Sequence, residues 1–284
     1  MVAGEVGWAG FPGENGVELP PGDWVRVGSM GTEPDRSTPS PSPKGVSQPS
    51  WMESPDVVRF LPFAAFLLVG ALGGKAFEGA EYWMYAAKTL VAGALLWWWR
   101  DKIAEMRWAF NVEGVVVGLV IAALWIGLEG RVPSLGRLWD LAREWTGGPK
   151  APEVKPPEAW NPVAYFSSNA VLGWGFVAVR VLGRSLVVPA MEEVFYRSLA
   201  YRYLVNPRFE TVALGTFRAG AFAGTSLLFG LSHAEHWLSA VVCGAAYQGL
   251  VVRRGRLGDA MLAHAVTNLA ISGYAIGTGR WEFS

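Results

Sequence analysis

Charge is scarce in this chain. Only 17% of its 284 residues are Asp, Glu, Lys or Arg, against about a quarter in an ordinary soluble domain. The charges cancel, 24 basic against 24 acidic, so the balance gives no reason to expect nucleic acid as a partner. Cysteine is nearly absent. A single residue, Cys243, excludes an intramolecular disulfide and any CxxC metal site; set between Val242 and Gly244 in an apolar run, it reads as a packing residue. Histidine is limited to His233, His236 and His264, and no His-Glu-x-x-His pair occurs, so the strong sequence signature of a catalytic zinc is missing.

Apolar length is abundant instead. The chain is 51% hydrophobic with 15 Trp, and its apolar residues gather into runs of about membrane length with Trp at several ends, as in interfacial belts. Residues 1 to about 56 stand apart. They are rich in Gly, Pro and Ser, with Ser37-Thr38-Pro39-Ser40-Pro41-Ser42-Pro43 as the extreme. No apolar period survives there, so they read as a disordered, dispensable tail. They lack the basic start and apolar core of a secretory signal; an over-extended start is the alternative reading.

The rest divides into N-terminal spans over 57–128, an extramembrane loop over 129–162 and a C-terminal core over 163–284. Candidate spans run from Val57 to Gly74, Trp83 to Trp99 and Val112 to Leu128. The polar connection that follows carries Pro149, Pro152, Pro156 and Pro157. Val163 to Val205 is too long for one straight crossing, and Pro189 should kink or break it. It is either one long bent helix or a crossing plus a second helix. Runs at 212–231, 237–252 and 257–276 complete an all-α, multi-pass bundle of seven or eight spans. Gly70 with Gly74, and Gly220 with Gly224, have the four-residue spacing that allows close helix contact. Arg100, Lys102 and Arg107, then Arg202 and Arg208, then Arg253, Arg254 and Arg256 mark three basic loops. All three are cytoplasmic only with seven spans and a cytoplasmic N-terminus.

One stretch organises this scheme: Val187-Val188-Pro189-Ala190-Met191-Glu192-Glu193-Val194-Phe195-Tyr196-Arg197. Ionisable groups in such apolar surroundings are costly and usually mark function. Glu193 and Arg197 share a helix face and can pair; Glu192 lies about 100° round the helix. Two close carboxylates at low dielectric favour a general base. Helix-end capping or simple ion pairing is the competing reading. His264 and Asn268 share a face of an apolar run, and His233 ends another. Inside a membrane each needs a polar partner or water, so interhelical hydrogen bonding competes with chemistry at each. His236, next to Trp237, reads as interfacial.

Taken together, Glu192-Glu193-x-x-x-Arg197, Phe229-x-x-x-His233 and His264-x-x-x-Asn268 resemble the CPBP family. These are the CAAX-type prenyl endopeptidases and bacteriocin-processing or self-immunity membrane proteins, also called the ABI family. The resemblance covers about Val187 to Ala270, and Val187 to Ser198 resembles more narrowly the exosortase-associated branch. It implies an intramembrane endopeptidase in a bacterial inner membrane, cleaving a membrane-anchored peptide or protein near its C-terminal tail. Glu192 would be the general base and His233 would orient the water. His264 and Asn268 would be oxyanion donors, Glu193 and Arg197 would position the site, and Phe229 would touch substrate. No cofactor is required on this reading; the alternative is zinc held by Glu192, His233 and His264. A non-proteolytic immunity or scaffold protein of a sorting system, or an ion-coupled transporter, would use the same residues otherwise.

Overall fold

The computed structural model describes residues 51–73, 76–149 and 159–283. The expectations for the tail up to residue 50, for Gly74 and for Pro152, Pro156 and Pro157 lie outside the described residues. All regular structure within them is helical. The longer helices are α1 (Pro55–Gly73), α2 (Ala80–Trp98), α3 (Val112–Leu128), α4 (Leu135–Trp145), α5 (Ala170–Val205), α6 (Ala219–Leu231), α7 (Trp237–Arg254) and α8 (Leu257–Thr278). Local chemistry sets several ends. Asn111, Ser134 and Asn169 cap α3, α4 and α5 by accepting from backbone N–H groups two or three residues into the helix, the usual use of short polar side chains at a helix start. Gly255, at φ +65°, ends α7 in the left-handed conformation that glycine adopts most readily.

The burial pattern is inverted relative to a water-soluble protein. Leu72, Leu90, Val120, Leu182, Leu227 and Leu231 stay exposed, while Glu193, Arg197, Gln248 and Asp259 are almost wholly buried. Apolar side chains can face hydrocarbon at no cost, and polar groups must then find partners inside. By length and composition α1 and α5 can cross a membrane; α3 and α6 are apolar but shorter.

α5 packs against α1, α2, α6 and α8, so it runs through the middle of the bundle. It is one continuous helix of 36 residues, about 54 Å long at 1.5 Å per residue, which decides between the two readings of this run. Pro189 neither breaks nor ends it. Two π turns, Gly183–Val187 and Val194–Ala200, flank the α-helical segment Val188–Glu193. The first explains how Pro189 is tolerated. The Val188 N–H bonds the Gly183 carbonyl five residues back, so the register is already shifted where the proline lacks its donor.

Two carboxylates, a part-buried Glu105 and a buried Asp259, tie the loops together at one end. Glu105 receives Arg59 at 2.8 Å, Arg202 at 3.4 Å and the Ser198 hydroxyl. Burial pushes its carboxyl up, but the hydrogen bonds from Arg59 and Ser198 and the Arg59 charge hold it below the usual range. Asp259 receives Asn111 at 2.6 Å and Arg256 at 2.9 Å, with Arg254 at 3.4 Å. Glu113 pairs with Arg253 at 3.2 Å. The three basic clusters thus meet at one end of the bundle. At the other end the Trp237 indole donates to the Pro133 carbonyl at 3.0 Å, and His236 pairs with Glu129 at 3.0 Å.

Three expectations are corrected. The connection after α3 contains a helix, α4, because Leu135, Leu138, Trp139 and Ala142 recur at helical spacing behind the Ser134 cap. The run expected from 212 forms α6 only from Ala219. Arg202 Nε bonds the Val212 carbonyl, and the Tyr201 hydroxyl lies between the Thr216 carbonyl and the Arg218 N–H, which hold 212–218 out of a helix. The glycines singled out by spacing are not the close contacts. A Cβ on Gly220 would meet nothing, and one on Gly224 only Leu204 at 3.5 Å. On Gly118 of α3 it would lie 2.5 Å from the Ala263 carbonyl and 2.7 Å from Val266 of α8. We expect Gly118→Ala to lower the stability of the purified protein by about 1–3 kcal/mol through overpacking. Gly220→Ala should be neutral or stabilising by up to about 1 kcal/mol. Thermal unfolding in detergent reads both, and equal shifts would contradict the packing described.

Candidate active site

α5 brings Glu192 and Glu193 to the centre of the bundle on different faces. Glu193 has no exposure and is ion-paired, with its hydrogen bonds made through Oε1. Its carboxylate holds Arg197 through contacts of 3.2 Å to Nε and to Nη1, and its Oε1 lies 2.9 Å from His264 Nδ1. The Glu193–Arg197 pairing survives even though Val194–Ala200 is a π turn. Arg197 also donates to the Gly244 carbonyl of α7 at 3.2 Å and lies 4.8 Å over the Phe229 ring of α6. These contacts give a cation that is only 1% exposed a counter-charge and hydrogen bonds from both Nη atoms, as a buried charge requires.

Glu192 is different. Its Oε2 has no hydrogen-bond partner, and the imidazole Nε2 of His264 stands 4.0 Å away. It faces a cavity of about 120 Å³ lined by, among others, Trp125, Arg184, His233, Tyr247, His264 and Asn268. Both imidazoles that line the cavity are fixed from behind. His233 lies just past α6, where the last carbonyls lack intrahelical partners, and its Nδ1 donates to the Phe229 carbonyl at 2.9 Å. His264 Nδ1 donates to Glu193. Each ring therefore keeps Nε2 for the cavity, the tautomer that a bonded Nδ1–H dictates.

The second tier was not evident from sequence. The Tyr247 ring stacks on His264 at 5.1 Å between centroids, and its hydroxyl donates to Thr267 at 2.7 Å. Arg184 also lines the cavity; its signal in the sequence is a charge within an apolar run, the same signal that marks Glu192.

Two roles shift with the geometry. Asn268 does line the cavity, but its Nδ2 donates to the Arg184 carbonyl at 2.8 Å. That carbonyl is orphaned by the π turn. Its α-helical partner, the Val188 N–H, goes to Gly183, and its π partner would be Pro189, which has no N–H. Asn268 thus locks α8 onto α5, with one amide hydrogen left. Phe229 is 2% exposed and braces Arg197 and His233, with its ring 4.7 Å from that of His233. Glu193 and Arg197 lie behind the cavity wall. Cys243 is buried and unpaired. Among the described residues no three His, Cys, Asp or Glu side chains are gathered so as to hold a metal ion. The set Glu192, His233 and His264 therefore does not fit zinc in this geometry, and no step is routed through a metal.

The Asn268 lock is testable. Asn268→Ala leaves a buried carbonyl without its donor and should cost about 1–3 kcal/mol. Pro189→Ala restores a backbone N–H within reach of that carbonyl, so the cost of Asn268→Ala should shrink in the Pro189→Ala background. A double-mutant cycle by thermal unfolding reads the coupling, and strict additivity would refute the assignment.

The model of one family, type II CAAX prenyl endopeptidase Rce1-like, matches residues 173–270. No curated protein and no solved structure matches the chain. The matched segment contains Arg184, Glu192, Glu193, Arg197, His233, Tyr247, His264 and Asn268, so the match and the cavity coincide. Residues 173–270 carry a domain of the CAAX-protease (CPBP) family, a family of membrane-embedded hydrolases.

Proposed function

We propose that this chain is an intramembrane endopeptidase that cleaves a membrane-anchored peptide or protein near its C-terminal tail. The observation that carries the reading is Glu192, a carboxylate with a free oxygen in a cavity that two fixed imidazoles share. Glu192 takes a proton from a water held against His233 Nε2. The water oxygen bonds to the scissile carbonyl carbon, and the carbonyl oxygen becomes an oxyanion. The remaining Asn268 amide hydrogen donates to that oxyanion, and His264 Nε2 is the second donor once the ring carries a proton on each nitrogen. Collapse breaks the C–N bond, and Glu192 returns the proton to the leaving amine. Preorganised donors and a positioned base are the groups this reaction needs. The likeness of residues 187–198 to the exosortase-associated branch supports a bacterial inner-membrane setting.

We place seven helices across the bilayer, α1, α2, α3, α5, α6, α7 and α8, with α4 outside and the Glu105 and Asp259 end in the cytoplasm. The meeting of all three basic loops at that end supports this topology. In a Cys243→Ala background, single cysteines at positions 102 and 254 should label from the cytoplasmic side and one at position 145 from the other. Opposite labelling of 102 and 254 would reject it.

Glu192→Gln keeps the shape of the side chain and removes its proton acceptor. Turnover should fall by about 10²–10⁴-fold, the range for loss of a general base, with insertion unchanged. Membrane proteomes of wild-type and Glu192→Gln cells should differ by a protein whose C-terminal fragment is released only in the wild type. Identical proteomes and full biological activity in a stably expressed variant would favour the immunity, scaffold or transporter readings.

A further inference from the structure

The helix α4 turns its apolar side outward. At about 100° per residue, Leu135, Leu138, Trp139, Leu141, Ala142 and Trp145 gather within about 160° of arc, and Arg137, Asp140, Arg143 and Glu144 gather opposite. The apolar arc is the exposed one. Trp139 is 72% exposed and Trp145 90%, and Leu138 and Leu141 are exposed too. No residue of α4 is buried, and none joins the hydrophobic core. The polar arc is better covered. Asp140, Arg143 and Glu144 are half-buried, and Arg143 lies 3.4 Å from Asp140. The chain then turns back at Gly147, φ +80°, and the Gly148 N–H donates to the Arg143 carbonyl at 2.9 Å.

A helix this short has little stability of its own in water and depends on a partner for its apolar face. Its position supplies one. Only residues 129–134 separate α4 from the end of α3, a proposed span. Its start is pinned to the start of α7, another proposed span, by the Trp237 bond to the Pro133 carbonyl and by the His236 pair with Glu129. It packs on the turn Ala234–His236. Leu231, just before that turn at the end of α6, is exposed as well, so the apolar face of α4 continues the outward apolar surface of the bundle. At 11 residues the helix is about 16 Å long, too short to cross a core about 30 Å thick. Trp139 and Trp145 lie towards opposite edges of the face, with Leu138 and Ala142 between them. Indoles favour the headgroup level and leucines the acyl chains, so the arc is ordered as a bilayer interface is.

We propose that α4 lies flat in the interface of the leaflet opposite the Glu105 and Asp259 end, with its Leu138 and Trp139 face in lipid. The leaflet rests on the seven-span topology; the lipid contact does not rest on protease chemistry. α4 carries Arg137 and Arg143 against Asp140 and Glu144, so it is held by apolar burial and by its tether to α3, without attraction to anionic lipid. Through Pro133 and Glu129 the helix is tied to the connection that carries His233, and lipid thereby fixes the level of that connection. A cysteine at 145 stays reachable from the far side, because the indole it replaces ends at headgroup level.

The test uses the full chain with Cys243→Ala and a single nitroxide-labelled cysteine at 137, 138, 139, 140 or 142, in phosphatidylcholine nanodiscs. Power-saturation spectroscopy compares oxygen, which dissolves in lipid, with a water-soluble nickel chelate. Positions 138, 139 and 142 should favour oxygen, at depths of about 5–10 Å. Positions 137 and 140 should favour nickel, so that the preference follows the helical period. Adding phosphatidylglycerol should leave the depths unchanged. Nickel preference at 138, 139 and 142 would place the face in water and overturn the proposal. Exclusion of both reagents there would mean a protein cover, such as a second copy of the chain, and overturn it as well. Insertion only with phosphatidylglycerol would replace apolar burial by charge attraction and also overturn it. An unlabelled chain gives an independent reading. The emission due to Trp139 and Trp145, taken as wild type minus the Trp139→Phe, Trp145→Phe variant, should be quenched by lipid brominated on its acyl chains. Unquenched difference emission would refute the lipid contact even if a label disturbed the helix. Labelling of positions 102 and 254 tests the topology separately; its failure beside a preserved oxygen pattern removes the leaflet and keeps the interfacial helix.

Discussion

The charge of Arg197 is the constraint on which the centre of this bundle depends. A guanidinium that is 1% exposed in an apolar setting must have partners on every side. It finds Glu193 on its own helix, the Gly244 carbonyl on α7 and the Phe229 ring on α6. Glu193 carries the connection on to His264 of α8. Four helices are registered against one another by a single cation and its carboxylate. Removing one partner of such a pair typically costs about 3–5 kcal/mol, because the other is left buried and alone. The same arrangement leaves the adjacent residue without a cation. Glu193 absorbs the cationic contacts, so Glu192 keeps an oxygen free for the cavity. The division of labour between two neighbouring glutamates follows from helix geometry, since adjacent residues point about 100° apart.

Polar groups are distributed in two ways. At one end of the bundle Glu105 gathers Arg59 of α1 and Arg202 of α5, and Asp259 gathers Arg254, Arg256 and the Asn111 cap of α3. These are closed networks in which each carboxylate has several donors, and they fix how the helices enter and leave. In the interior the networks are deliberately incomplete. Glu192 and Arg180 retain unsatisfied atoms, and Arg184 uses one of its donors on a backbone carbonyl. Incomplete satisfaction inside a low-dielectric bundle is costly unless something else completes it, which the proposed substrate and water would do.

Much of this was legible from residue types alone. Charges and histidines in apolar runs are so unfavourable that their positions single out the site, and Glu192, His233, His264 and Asn268 do line one cavity. Helix type and approximate extent followed from apolar run length. What failed did so for identifiable reasons. Four-residue glycine spacing does not say which face meets a neighbour, so Gly220 and Gly224 drew attention that Gly118 merited. An apolar composition cannot show that Tyr201 and Arg202 will capture the 212–218 backbone. Pro189 suggested a break because one residue cannot reveal a compensating π turn upstream. The second duty of Asn268 was hidden for the same reason, since its acceptor exists only because of that turn.

The π turn has a consequence for how this chain tolerates change in length. Surface connections absorb insertions and deletions because nothing downstream depends on their count. Within α5 the count is the information. The turn at Gly183–Val187 stores one residue more than an α-helical path would use. Deleting a residue there would let the helix relax to ordinary winding with no loss of hydrogen bonds. It would also rotate everything before it by about 100° relative to Glu192. The Trp160 and Tyr85 rings would lose the Arg180 guanidinium that lies over them, and the cavity would lose Arg184. The interval between Arg184 and Glu192 is therefore as much a component of the site as either side chain, and a chain that kept both residues but changed their separation would hold a different instrument.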